Sequence, residues 1–253
     1  MTKYKLVVCV FACPTVEKYK KEILKIEETW GKRANEKGVK VLYFLGEEPT
    51  DLINVDKYIY LKNVENNYES ASHKQNLGLK FICENYTTDF VFCCGSDTFL
   101  NVDKALEYLD TLDSSKNLYI GGCGDYRQVG NDNVYYHSGG GGFILSNSVL
   151  QYLYPKLQSL QNEWEYMCSS NNVHYLKVAC DVLIGYYVKD IKDIEIVDKK
   201  QSFNSCNHKG YATNNFRCCH VVNINELISC HYMTLSDFDE FNYILEKNNY
   251  FTN

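Results

Sequence analysis

Apolar residues near the start of the chain fall in short unbroken runs, and the segments between them carry apolar residues at helical spacing. Residues 5–13, Lys-Leu-Val-Val-Cys-Val-Phe-Ala-Cys, make a buried-strand pattern. From Val16 to about Glu36, Val16, Tyr19, Ile23, Ile26 and Trp30 recur on one face, which predicts a helix ended by Gly31 and Gly38. Residues 39–45 and 57–61 predict the second and third strands. Ala71, Leu77, Phe81 and Ile82 predict an amphipathic helix over 70–86. The helix leads into Phe90-Val-Phe-Cys-Cys94, a strand that stops at Gly95-Ser96-Asp97, and a helix opens at about 101–111. Beyond it the pattern predicts a strand over 118–123, a polar loop to Asp132 and a packed loop through the glycines 139–142 and Phe143. A helix over 147–160 is followed by an irregular stretch over 161–179 and a helix opening at Asp181. A strand over 194–197, a loop over 202–208 and a C-terminal helix over 236–247 complete the chain.

Strands alternating with helices at this spacing mean an α/β fold with a mostly parallel sheet covered on both faces. The chain of 253 residues has three prolines and no linker-like stretch, so a single domain over 1–253 is expected. Strand one is not followed by Gly-x-Gly-x-x-Gly, and no Gly-x-x-x-x-Gly-Lys-Ser/Thr occurs, which excludes dinucleotide oxidoreductases and P-loop enzymes. A net charge of −6 argues against nucleic acid or an anionic membrane as partner. The opening apolar run is too short to span a bilayer and lacks a small-residue cleavage site, so a soluble, cytoplasmic chain is expected. Twelve cysteines fit that compartment, because most lie among apolar residues, where a thiol acts as a small hydrophobe. Cys206, Cys218, Cys219 and Cys230 are the candidates for pairing.

Asp97 stands where a strand hands over to a helix, the end at which open α/β sheets bind ligands. There it can hold a cation, or simply cap its own turn. Four successive glycines at 139–142 exceed what a turn needs and suit a close approach of ligand to backbone. Asp181 begins an apolar helix, where it caps free N–H groups and is held rigidly. His137, His208 and His220 read as hydrogen-bonded surface residues of polar loops. A zinc site of Cys206, His208, Cys218 and His220 matches no finger spacing.

Several segments, in order, resemble the fringe-like β1,3-glycosyltransferases, most closely the core 1 β1,3-galactosyltransferase branch. They are Glu28-Thr-Trp-Gly-Lys-Arg33, Val41-Leu-Tyr-Phe-Leu-Gly46, Asp89–Asn101, Tyr136-His-Ser-Gly-Gly-Gly-Gly-Phe-Ile-Leu-Ser146, Ala179-Cys-Asp-Val-Leu-Ile-Gly185 and Ile228-Ser-Cys-His-Tyr-Met233. The resemblance implies a GT-A fold with a donor-binding half over about 1–115 and an acceptor-binding half over about 116–253. It also implies inverting transfer of a hexose or N-acetylhexosamine from a UDP-sugar to a glycan or glycoprotein hydroxyl, assisted by Mn²⁺ or Mg²⁺. By the same resemblance, Asp181 is the general base, Asp97 and His231 hold the metal, Lys74 and Ser96 join Asp97 at the donor, and Gly139, Gly140 and Gly141 form the acceptor loop. Lys74 reads equally as part of a solvated helix face. The departures are specific: the family's acidic triplet is reduced to Gly95-Ser96-Asp97, Cys180 takes the place of the acid before the base, and Glu27 that of a basic residue. Tyrosines around 126–136 and 164–175 are candidates for stacking on sugar rings. A non-catalytic sugar- or nucleotide-binding protein, or a nucleotide-sugar hydrolase, would use the same residues.

Overall fold

The computed structural model describes residues 2–46, 56–206 and 226–247. Its first strand, β1 (Lys3–Phe11), divides its side chains between two cores. Leu6, Val8 and Val10 enter one layer, Val7 and Cys9 the other. The helix expected from 16 to 36 forms as two, α1 (Glu17–Glu28) and α2 (Trp30–Glu36). The break falls at Thr29 (φ −114°, ψ −112°) and not at a glycine. Gly31 instead lies inside α2, where a Cβ would stand 2.6 Å from the Ile26 carbonyl oxygen, so the corner closes only around glycine.

The strands β2 (Lys40–Leu45) and β3 (Tyr58–Tyr60), the helix α3 (Ala71–Asn85) and the strand β4 (Thr87–Gly95) follow as expected. A two-residue strand, β5 (Phe99–Leu100), precedes α4 (Val102–Leu109), whose first turn is capped by the Asn101 side chain accepting from the Lys104 N–H. The next strand is β6 (Leu118–Gly121). The segment to Asp132, expected as a loop, is the first arm of a hairpin, β7 (Asp125–Val129) and β8 (Asp132–Tyr136). It turns at Gly130 (φ 60°) and buries Val129, Val134 and Tyr136. Its alternation runs through tyrosines and charged residues, which hides it from a purely apolar pattern.

Phe143–Ser146 is also a strand, β9, with all four residues buried. A run of four apolar or small residues is too short to distinguish from a packed loop by pattern alone. After α5 (Asn147–Leu153), the stretch expected to be irregular forms α6 (Leu160–Ser170). Leu160, Trp164 and Cys168 recur every fourth residue and are fully buried, and the Trp164 indole N–H donates to the Leu176 carbonyl at 2.8 Å. The chain closes with α7 (Cys180–Val188), β10 (Glu195–Asp198), β11 (Phe203–Asn204), β12 (Ser229–Cys230) and α8 (Leu235–Lys247).

The main sheet runs β10-β6-β9-β4-β1-β2-β3, and every neighbouring pair is parallel except the two that β9 makes with β4 and β6. One face is covered by α1, α2, α4 and α8, the other by α3, α5, α6 and α7. From β1 the chain moves outward to β2 and β3, then returns to the opposite side of β1 as β4. The crevice beyond the carboxyl ends of β1 and β4 is therefore a topological switch point. Among the described residues no helix is long and apolar enough to cross a membrane. Cys9, Cys93 and Cys94 are buried free thiols inside the sheet. His208, Cys218, Cys219 and His220 lie outside the described residues, so the pairing and zinc expectations on them are not addressed.

His137 is not at the surface. It is 0% exposed, just past β8, with its ring edge-on to Tyr119 (4.5 Å between centroids) and Tyr135 (5.4 Å), and a Cβ on Gly121 would stand 2.7 Å from its Cγ. Burial pushes its imidazole down to about 4, against a hydrogen bond to the Tyr119 carbonyl that raises it. The unfolded chain binds this proton near pH 6.5 and the folded chain only near 4, so the stability held above pH 6.5 is lost as the pH falls through that window. Urea unfolding should show His137 contributing a loss of about 3 kcal/mol between pH 6.5 and 4. In His137→Phe that component of the pH dependence should vanish.

Candidate active site

The second, small sheet builds the site. β12 pairs antiparallel with β5 and parallel with β11, bringing the end of the chain against the turn that follows β4. The backbone N–H of Met233 donates to the Asp97 carbonyl at 3.0 Å, and that of His231 to the Asn204 carbonyl at 3.0 Å. The indole N–H of Trp30 on α2 donates to the Thr98 carbonyl at 3.1 Å, anchoring the turn from the other side. As a result His231 Nε2 stands 3.4 Å from Asp97 Oδ1, with the two side chains 15% and 20% exposed. His231 Nδ1 lies 3.2 Å from the Ser205 carbonyl oxygen, which can only accept, so Nδ1 carries a proton and Nε2 faces the carboxylate. Burial pushes the Asp97 carboxyl up, but the charge and hydrogen bond of His231, with Lys18 beyond it, outweigh that and hold it below its ordinary value.

Asp181 begins α7 and is held by two backbone donors: Gly139 N–H to Oδ2 at 2.9 Å and Val182 N–H to Oδ1 at 2.8 Å. Burial raises its pKa, and these hydrogen bonds oppose the rise without cancelling it. The glycine run lies between the two acids, and the space its missing side chains leave is filled by the protein itself. A Cβ on Gly139 would meet Asp181 Cβ at 3.1 Å, and one on Gly140 would meet His231 Nδ1 at 2.1 Å. Behind them, Gly141 lies on the Asn204 backbone, and Gly142 (φ 76°) on the Phe92 ring. On the Cβ side these glycines are packed against protein, and a left-handed φ is needed only at Gly142.

Lys74 is on no solvated face. It is 1% exposed, and its Nζ lies 2.9 Å from Cys13 Sγ at the carboxyl end of β1. Burial lowers its pKa, and the Cys13 contact works against that. Ser96 donates its hydroxyl to Glu22 Oε2 at 2.6 Å. Glu22, on α1, is 2% exposed, and burial raises its carboxyl while the Ser96 hydrogen bond lowers it. Sequence reasoning missed both Cys13 and Glu22, although an acid on the inward stripe of α1, between Tyr19 and Ile26, is the kind of misfit that marks a buried site. Of the departures, Glu27 pairs with Lys57, and burial drives the Cys180 thiol up. Tyr126, Tyr166 and Tyr175 are exposed. Tyr68, 69% exposed on the segment before α3, is also within electrostatic reach of Asp181 and Tyr232.

Among the described residues no group of three or more His, Cys, Asp or Glu converges closely enough to hold a metal ion. The two side chains that could act as ligands together are Asp97 and His231. They fit a divalent cation that takes its remaining ligands from substrate and water, because an imidazole lone pair facing a carboxylate requires a proton or a cation between them. In Gly140→Ala the new methyl would displace the His231 ring. Isothermal titration with Mn²⁺ should show binding weakened about 10-fold or more, with the fold retained by circular dichroism.

The comparisons with known proteins follow the same lines. No curated protein matches the chain in sequence. Among solved structures it is similar to a glycosyltransferase involved in glycosylation of the major capsid of PBCV-1, at 15% identity and a TM-score of 0.52 over 94% of this chain and 98% of that one. It is similar to the galactosyltransferase LgtC, solved with donor and acceptor sugar analogs, at 12% identity and a TM-score of 0.54 over 94% and 95% of the two chains. The glycosyltransferase GlyE of Streptococcus pneumoniae TIGR4 matches at 15% identity and a TM-score of 0.54, over 99% of this chain and 64% of that one. At such identities the likeness concerns the fold, and the GT-A arrangement expected from the sequence is the one observed. In sequence, the Fringe-like family model matches residues 5–209, from β1 past β11 and so most of the chain, and the protein belongs to the Fringe-like family.

Proposed function

We propose that the protein is a glycosyltransferase that moves a hexose or N-acetylhexosamine from a UDP-sugar to a hydroxyl of a glycan or glycoprotein, with inversion and as a β1,3 linkage. One observation carries the reading: successive residues of one turn abut the two functional groups, Gly139 touching Asp181 and Gly140 touching His231. Consecutive Cα atoms are about 3.8 Å apart, so one short turn links a fixed carboxylate to the pair read here as cation-binding. An inverting displacement needs that combination, a base at the attacking hydroxyl and positive charge at the departing diphosphate.

Asp181 takes the acceptor proton as the acceptor oxygen attacks the anomeric carbon, and UDP departs with the electron pair of the broken carbon–oxygen bond. Its two backbone hydrogen bonds hold the carboxylate in one orientation, and its burial makes it a stronger base than an exposed aspartate. Mn²⁺ or Mg²⁺ held by Asp97 and His231 would supply Lewis-acid stabilisation of the diphosphate. Lys74 brings a buried cation to the switch-point crevice, and Ser96 and Gly95 shape the turn beside it. Family membership, and the likeness in fold to enzymes that act on sugars, support the reading.

UDP release should be measured across a panel of UDP-sugars, with and without Mn²⁺, on wild type and on Asp181→Asn. The expected result is release with one donor that drops by about 10²–10⁴-fold in the variant. Undiminished release in Asp181→Asn would remove that residue as the base. Saturable UDP binding without release from any donor would establish a non-catalytic binding protein instead, and release that needs no acceptor would establish a hydrolase.

A further inference from the structure

The turn after β4 contributes one acid to the site, but it is not the only carboxylate there. Glu22 reaches the same turn from α1, with Oε2 accepting from the hydroxyl of Ser96, the residue next to Asp97. Its Oε1 lies 3.6 Å from Lys18 Nζ, and the Lys18 side chain is 68% exposed. The position is on the inward stripe of α1 beside Ile26 and Ile23, both fully buried, where an apolar side chain would pack without any charge to desolvate. Lys74, the buried cation of the same crevice, directs its Nζ to Cys13 Sγ. Two acids, Glu22 and Asp97, thus converge on one turn, with the His231 imidazole beside Asp97 and the exposed Lys18 beside Glu22. A divalent cation between Asp97 and His231 would bring both carboxylates under one positive charge.

We propose that Glu22 is a positioning residue for that cation. Its charge adds to that of Asp97 in the field that draws the ion in, and its hydrogen bond from Ser96 fixes the turn on which Asp97 stands. Glu22 is not itself a ligand, since it does not complete a three-residue cluster with Asp97 and His231. The inference rests on the proposed cation site, and its test separates the two.

Mn²⁺ binding to the full chain, without nucleotide sugar, can be followed by loss of the free-ion electron paramagnetic resonance signal and by the metal-induced shift in melting temperature. Glu22→Gln keeps the acceptor for Ser96 and removes only the charge. It should weaken binding about tenfold, as loss of a group supporting a ligand does, while the melting temperature without metal stays equal or rises. Ser96→Ala, which keeps the charge, should weaken binding less. Glu22→Gln combined with Ser96→Asp, which returns a carboxylate to the turn itself, should recover most of the affinity. Wild-type affinity in Glu22→Gln alongside lost binding in Asp97→Asn would overturn the role of Glu22 and leave the cation site standing. Equal binding in wild type and Asp97→Asn, or none in either, would overturn the cation site and this inference together. Should Glu22→Gln lower the melting temperature without metal, Glu22→Asp decides: unchanged Mn²⁺ affinity supports the charge role, and affinity lost in step with stability overturns it.

Discussion

Close packing at four successive glycines holds this site together. Between β8 and β9 the chain passes under Asp181, under the His231 ring, over the Asn204 backbone and against Phe92 within four residues. None of these contacts tolerates a Cβ without displacement of its neighbour. The backbone oxygens of the turn are held as well: Thr98 Oγ1 donates to the Gly140 carbonyl at 2.9 Å, and Ser229 Oγ donates to the Gly141 carbonyl. The turn therefore ties together four parts of the chain: the segment after β4, α7, the loop after β11, and β12. Its continuation into β9 anchors it in the middle of the main sheet, antiparallel to both neighbours.

That anchoring governs the electrostatics. Buried ionisable groups are costly and are kept where they have partners. Lys74 with Cys13, Glu22 with Ser96, and Asp97 with His231 all gather at the carboxyl ends of β1 and β4. The layers of core on either side of the sheet are apolar by comparison, apart from groups such as His137, which stays neutral because burial disfavours its charge. Polarity is concentrated at the topological switch point, where diverging loops leave a crevice that the core cannot fill.

The second sheet has two residues in each strand, yet it decides what chemistry is possible. Pairing of Ser229 with Leu100 and Cys230 with Phe99 sets the register that places His231 opposite Asp97. A slip of one residue would turn the histidine to the other face of the strand. So short a ladder holds its register because its residues lie in the core: Phe99 packs against Phe238 and Phe241 of α8, and Phe203 against Phe92.

Local order was legible in the residues themselves. Unbroken apolar runs mark buried strands and a 3.6-residue period marks helices, and they located β1 to β4, α3, α7 and α8. The end of β4 and the start of α7 likewise pointed to Asp97 and Asp181, because the ends of elements are where carboxylates find free N–H groups or ligands. Where the period was masked, the reading failed: tyrosines hid the β7–β8 hairpin, intervening polar residues hid α6, and four residues were too few to declare β9. What only the tertiary structure decided was which distant groups meet. That His231 faces Asp97, that Glu22 reaches Ser96, that Lys74 is buried on Cys13 and that the glycines pack against Asp181, His231, Asn204 and Phe92 all depend on how elements far apart in sequence pack. Local periodicity constrains one segment at a time, whereas these contacts are set by the joint requirement that every segment bury its apolar face and satisfy its polar groups.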